Sequence, residues 1–137
     1  MLQPVLVDTN VLLDVSTNDP EWGVWSSHAL EQAADESTLV INPIIYAEVS
    51  IAYKQIEDLE LSLPPAIFRR DALPYEAAFL AGKAFRKYKQ RGGRSKLRPL
   101  PDFYIGAHAA VANFRLLTRD ANRYRTYFPG LHLIAPA

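Results

Sequence analysis

The sequence predicts an α/β domain with a mostly parallel central sheet. Two observations carry this. Short strand candidates recur at Val5–Val7, Leu39–Ile41, Arg115–Leu117 and Leu131–Ile134, and helical stretches lie between them. Strands that alternate with helices imply βαβ units, which build parallel sheets.

The first strand, Val5-Leu6-Val7, is an apolar run suited to burial on both faces. Asp8, Thr9 and Asn10 follow, then an apolar stretch able to begin a helix. Trp22–Ala34 reads as a helix, with Asn18 or Asp19 as a cap and Pro20 near its first turn. Pro43–Gln55 is a helix entered through Asn42-Pro43. Ile56–Leu73 reads as a short helix and then an extended stretch through Pro64-Pro65. Pro74–Gln90 is the longest helix. Ala77, Ala81, Ala84 and Tyr88 line its apolar stripe, with Glu76, Lys83, Arg86 and Lys87 on the other side. Gly92-Gly93 breaks that helix and opens a loop to Pro101, where the helix Pro101–Phe114 begins. No internal repeat or low-complexity segment is visible, so residues 1–137 are expected to form a single domain.

Composition narrows the chemistry. With 49% hydrophobic and 22% charged residues, the chain has the make-up of an ordinary globular protein. It has no cysteine, which excludes disulfides, thiolate metal sites and cysteine catalysis, and agrees with a reducing cytoplasm. No segment has the apolar length of a membrane span, and the N-terminus lacks the pattern of a signal peptide. A cytoplasmic location without membrane contact is therefore expected. His28, His108 and His132 are too scattered for a metal-ligand pattern. A metal site here has to be built mainly from oxygens, which suits Mg²⁺ or Mn²⁺. The formal net charge is zero, yet eight of the 15 bases fall within Lys83–Arg98, a stretch without acids. The body is acidic and one segment is basic.

Four acids fall where a parallel sheet presents ligands, beyond the carboxyl ends of its strands. Asp8 ends the first strand and Asp120 follows RLLT in the same manner. Asp102 opens the helix DFYIGAHAAVANF, where the positive helix end favours a carboxylate. Glu48 stands one to two turns into its helix, among Ile44, Ile45, Tyr46, Val49 and Ile51. Taken singly, Asp8 and Asp102 read equally as helix caps and Asp120 as a turn residue. Taken together, the four map to one rim. Asp14, Asp19, Glu31, Asp35, Glu57 and Glu60 do not, and read as solvated helix faces or loops.

With these residues placed, the chain resembles the PIN-domain ribonucleases, specifically the VapC-type toxins of bacterial type II toxin–antitoxin systems. The matching segments are VDTNVLLD (Val7–Asp14), the Glu48 helix, PLPDFYIGAHA (Pro99–Ala109) and LLTRDANRYRTYFPGL (Leu116–Leu131), so the likeness spans essentially the whole chain. The resemblance implies a three-layer α/β/α sandwich in which Asp8, Glu48, Asp102 and Asp120 are catalytic and surround one or two Mg²⁺ or Mn²⁺ ions. Asn10 and Thr118 match polar positions that support this cluster. Some relatives carry a further aspartate a few residues after the LLT segment, where this chain has Asn122 and Arg123. Asp120 is thus the ligand expected to act through water if it does not bind directly.

The implied reaction is hydrolysis of an RNA phosphodiester. Metal ions reverse the repulsion between carboxylates and phosphate and acidify water. Glu48 is read as a ligand or as the group that positions the water. The basic segment, with Arg86, Lys87, Arg94, Lys96 and Arg98, is the candidate RNA-binding surface. The resemblance also implies a cognate antitoxin that covers the site, and a homodimer. A haloacid-dehalogenase-like phosphatase is disfavoured because Asn10 stands where its second aspartate belongs. A non-catalytic RNA-binding module is disfavoured by retention of all four acids. A PIN nuclease that processes RNA without an antitoxin stays open.

Overall fold

In the computed structural model, which describes residues 2–93 and 99–137, five strands form a single parallel sheet. They are β1 (Val5–Val7), β2 (Leu39–Ile41), β3 (Phe68–Arg70), β4 (Arg115–Leu117) and β5 (Leu133–Ile134), in the order β3-β2-β1-β4-β5. Between them lie α1 (Thr9–Ser16), α2 (Gly23–Glu36), α3 (Pro43–Ser50), α4 (Ile56–Ser62), α5 (Tyr75–Gln90), α6 (Leu100–Ala112) and α7 (Asn122–Tyr127). Strand β1 is central. Val5 lies opposite Leu39 on one side and Arg115 on the other, and Leu6 opposite Val40 and Leu116. All three β1 residues are fully buried, as a parallel strand covered on both faces requires.

The strand order fixes the layers. The chain steps from β1 to β2 to β3 in one direction, then returns past β1 to β4 and β5. Right-handed crossovers then place α1–α4 on one face and α5–α7 on the other, giving the three-layer α/β/α arrangement. The order reverses between β1 and β4, so the crevice at their carboxyl ends is the natural ligand site of such a sheet.

Helix α5 buries its alanines Ala77, Ala81 and Ala84 and packs extensively along α6. Gly106 lets α6 pack closely against α7. A Cβ there would come within 2.6 Å of the Phe128 ring and 3.1 Å of the Tyr124 ring. Phe85, Tyr88, Phe103 and Tyr127 form an aromatic cluster between these helices, with Phe85 stacked on Tyr88 and the other pairs edge-to-face, at centroid distances of 5.1–6.3 Å. Asn42 caps α3 by accepting from the Ile45 amide, and its side-chain amide meets Nδ1 of the buried His108 at 3.0 Å. His108 is therefore a packing residue, as its isolation in the sequence implies.

The structure corrects the sequence reading at several points. Helix α3 stops at Ser50 rather than Gln55, and the chain turns so that α4 buries Leu59 and the Tyr53 hydroxyl reaches Ser62 Oγ at 2.8 Å. The segment through Pro64-Pro65 is a turn, closed by bonds from the Ile67 and Phe68 amides to the Pro64 carbonyl, and it leads into β3. Asp19 holds the amides of Glu21 and Trp22 in the turn before α2, which itself begins only at Gly23. The short α7 and the late start of the last strand, at Leu133, are further differences.

Asp14 is the largest surprise among the acids. It is not solvated but 3% exposed. It accepts from Ser26 Oγ at 2.8 Å and pairs with Arg119 Nε at 2.7 Å, tying α1 to α2 and to the loop after β4. Removing it strands a hydroxyl and a guanidinium. Asp14→Ala is expected to lower stability by about 2 kcal/mol, the scale of a charged hydrogen bond with a part-exposed partner. A urea midpoint equal to that of the wild type would contradict this.

Candidate functional site

The carboxyl ends of β1 and β4 deliver Asp8 and Thr118 side by side. The Asp8 amide continues the ladder, donating to the Leu117 carbonyl at 2.9 Å. Asp8 has extended backbone and caps α1: its Oδ1 accepts from the Thr9 amide at 2.8 Å. The capping role is real, but it uses only one oxygen. Oδ2 accepts from Thr118 Oγ1 at 2.8 Å and from the Tyr124 hydroxyl at 3.0 Å. Asn10 Nδ2 lies 3.3 Å from Thr118 Oγ1 and 3.5 Å from Asp8 Oδ2, and Asn10 Oδ1 accepts from the Arg119 amide. Asn10 and Thr118 thus support Asp8 directly.

Glu48 projects from α3, and its Oε1 accepts from Thr9 Oγ1 at 2.7 Å. Asp102 stands in the first turn of α6 and makes no cap bond there, so a capping role does not account for it. Its Oδ2 instead accepts from Arg123 Nη1 at 2.7 Å. Asp120 follows β4 and is exposed; its amide donates to Thr118 Oγ1 at 3.1 Å.

A cleft of about 280 Å³ is lined by Asp8, Asn10, Asp102, Asp120, Asn122, Arg123 and Tyr124. Three of the four acids singled out in the sequence therefore line one cleft, and Glu48 stands beside it through Thr9. Roomier cavities of about 350 and 420 Å³ lie elsewhere, but no acids face one another there.

The electrostatics bind the four acids together. Burial, and then the charge of Asp102, pushes the Asp8 carboxyl up to about 7. Burial and the same Asp102 charge raise Glu48. Burial raises Asp102, with Arg123 opposing it and Asp120 adding repulsion. Tyr124 is held well above its usual range by burial and by the charges of Asp8, Asp102 and Glu48. Asp102 is the common neighbour.

Sequence reasoning passed over Thr9, Tyr124 and Arg123. Asp120 precedes α7, so no helical spacing relates it to Tyr124, and no sequence pattern flagged that residue.

This donor set suits a hard divalent cation. The acids offer oxygens, and Asp8 lacks a full counter-charge because a single guanidinium answers three carboxylates in the cleft. Among the described residues no three acids or histidines stand close enough to enclose an ion. Direct protein ligation by one or two carboxylates, with waters and substrate phosphate completing the shell, is the usual arrangement for Mg²⁺.

The family model for the PIN domain matches residues 5–129. The chain belongs to the PIN domain family. Solved structures similar to this PIN domain include VapBC2 from Rickettsia felis bound to a DNA fragment from their promoter, at 20% identity over 98% of this chain and 99% of that one, with a TM-score of 0.74. VapBC-1 from nontypeable Haemophilus influenzae is 18% identical over 96% and 97% of the two chains, with a TM-score of 0.72. DNA-bound VapBC from Salmonella typhimurium is 19% identical over 98% of each, with a TM-score of 0.71. At these identities the likeness is one of fold. No curated protein sequence matches the chain.

Of the basic segment of this PIN domain, Arg86 and Lys87 lie exposed on α5. Arg94, Lys96 and Arg98 lie outside the described residues. Tyr88 does not stand free for a nucleobase: its ring packs against Phe85, Phe103 and Tyr127, and Arg123 lies over it at 5.8 Å. A Cβ on Gly93 would meet the same ring at 2.3 Å, so only glycine lets the chain leave α5 along this path.

The raised Asp8 carboxyl has a consequence for stability. The folded chain keeps the Asp8 proton up to about pH 7, whereas the unfolded chain releases it near 3.8. Between these values the folded state binds more protons, so stability is lost as pH rises through the window. In chelator, the stability of wild type relative to Asp8→Asn is expected to fall from about pH 4 to about pH 7, by at most about 1.4 kcal/mol per pH unit. A pH-independent difference would contradict the assignment.

Proposed function

We propose that this PIN domain is a Mg²⁺- or Mn²⁺-dependent endoribonuclease, a toxin held in check by a cognate antitoxin. The observation that carries the reading is the convergence of Asp8, Asp102 and Asp120 on one cleft at the β1–β4 switch point, with Glu48 beside it. The fold likeness to chains solved as VapBC complexes supports the toxin–antitoxin part.

Asp8 and Asp102 would hold the cation. Bound there, a divalent ion supplies positive charge for a phosphate oxygen and acidifies water. The protein's own share is orientation. Thr118 and Tyr124 donate to Asp8 Oδ2, the Thr9 amide donates to Oδ1, and the carboxylate is thereby fixed before substrate arrives. Thr9 anchors Glu48 through Oε1 and leaves its second oxygen to orient the attacking water. Asp120 contributes charge at the rim and would support a bound cation from there. Water would add in line at phosphorus as the P–O3′ bond breaks, its proton passing to solvent and the leaving 3′ oxygen taking one up, which leaves a 5′ phosphate and a 3′ hydroxyl.

Arg86 and Lys87 would neutralise RNA phosphates from α5, whose last turn approaches the cleft where the cleft residue Arg123 lies over Tyr88 at 5.8 Å. Exposed Ile51, Leu61, Tyr75 and Phe79, at the end of α3, on α4 and on α5, provide apolar surface for pairing with a second copy. No helix among the described residues is long and apolar enough to cross a membrane. A cytoplasmic site of action, where RNA is met, is part of the same proposal.

Cleavage of an RNA substrate is expected in Mg²⁺ or Mn²⁺ and not in chelator. Asp8→Asn and Asp102→Asn should each lower the rate by on the order of a hundredfold or more, the scale of losing one preorganised electrostatic contact. Undiminished cleavage by Asp8→Asn would sink the mechanism. Replacing Arg86 and Lys87 with Ala should reduce the slope of log affinity against log salt by about 1.4, or ~0.7 per phosphate contact on single-stranded RNA. An unaltered slope would remove both residues from the RNA path.

A further inference from the structure

Among the described residues lining the cleft, Arg123 alone is basic. Its guanidinium meets Asp102 through one contact, Nη1 to Oδ2 at 2.7 Å. Both side chains are more than a third exposed, 37% for Arg123 and 38% for Asp102. A single-point pair with that access to water is a weak one, easily exchanged for another partner. The position of the guanidinium does not depend on the pair alone. Arg123 also lies over the rings of Tyr88, at 5.8 Å, and Phe103, at 6.0 Å. This aromatic bed keeps the planar group at the lip of the cleft whether or not Asp102 holds it.

The partner of Arg123 is the acid on which the others depend. The charge of Asp102 bears on Asp8 and on Glu48, and Asp102 in turn feels Asp120. Any cation that enters between Asp8 and Asp102 competes with Arg123 for Asp102. A guanidinium stays charged, so once displaced it needs another anion. The planar fork of Arg matches phosphate oxygens better than any other side chain does. In a site that receives RNA, that anion is the phosphodiester.

We propose that Arg123 is a substrate-phosphate ligand parked on Asp102: it holds that carboxylate in the absence of metal and RNA, and passes to a non-bridging oxygen of the RNA phosphate when a divalent cation takes up the Asp102 charge. The proposal rests on reading the cleft as a metal-dependent RNA site. It makes Arg123 a substrate-contacting residue, and not merely a strut between α6 and α7.

The test uses Arg123→Gln and Arg123→Lys in the full chain. Mn²⁺ binding without RNA is followed by electron paramagnetic resonance. Binding of a short mixed-sequence RNA oligonucleotide is followed by fluorescence anisotropy in Ca²⁺, over a salt series. Arg123→Gln should bind Mn²⁺ about fivefold more tightly, because the competing cation is gone. It should bind RNA more weakly, with the salt slope reduced by about 0.7. Arg123→Lys should restore the slope but not the full RNA affinity, and it serves alone if the Gln variant does not fold. Weaker Mn²⁺ binding in Arg123→Gln would make Arg123 a positioning residue for Asp102 and overturn the proposal. A lower melting temperature with Mn²⁺ and RNA binding both unaltered would overturn it as well. Wild-type protein that binds neither Mn²⁺ nor RNA would instead refute the metal-dependent RNA site itself.

Discussion

Asp8 has to be buried and yet remain able to carry a charge, and much of the molecule is arranged around that demand. A carboxylate at the end of a fully buried central strand loses its water. Four groups from three parts of the chain replace some of it: the Thr9 amide, Asn10, the Thr118 hydroxyl and the Tyr124 hydroxyl. Their convergence requires β1 to pair with β4 in the observed register, since Asp8 and Thr118 follow Val7 and Leu117, which are partners in the ladder. It also requires α7 to approach α6 closely enough for Tyr124 to reach inward. Gly106 permits that approach, because any side chain there would strike the Phe128 and Tyr124 rings. One buried acid thus couples strand register, helix packing and a glycine on a different element.

The same demand explains which parts of the structure were legible in the sequence. Strands β1 and β2 lie inside the sheet, buried along their whole length, and their apolar runs gave correct bounds. Strand β3 is at the sheet edge and reads Phe-Arg-Arg, with only Phe68 buried. Its arginines face water, where charge discourages pairing with another chain, so its sequence carries no strand pattern. Its position is set by pairing with β2 and by the turn at Pro64, both tertiary effects. Asp14 misled for a related reason. Its neighbours in sequence look like a helix surface, and its partners Ser26 and Arg119 are distant in the chain.

For the cleft, the acids were legible and their partners were not. Aspartates at strand ends and helix starts stand out against apolar surroundings, and three of them do line one cavity. Glu48 sits differently from the reading of a shared rim, joined to Asp8 through Thr9 and not as a lining residue. Tyr124 and Arg123 gave no signal, since an aromatic and a basic residue in RDANRYRTYF are unremarkable until α7 is folded over α6. Spacing reveals which groups share an element, but the contact of Arg123 with Asp102 spans two helices brought together by the aromatic cluster of Phe103, Tyr88 and Tyr127.

The charge balance of the cleft leads to a last step. Asp8, Asp102 and Asp120 face a single guanidinium, and the Asp8 carboxyl is driven to about 7. An arrangement optimised for the stability of the chain alone would have replaced one acid or added a second base. Instead Thr118, Tyr124 and Thr9 are spent on keeping Asp8 in one orientation while its charge stays under-compensated. A preorganised, under-neutralised carboxylate is poorly suited to holding α1 in place, for which the Thr9 amide contact suffices. It is well suited to an incoming cation, whose charge relieves the repulsion among all the acids that Asp102 couples together. Such a cation would displace a weak pair at Asp102 and strengthen every donor that already points at Asp8.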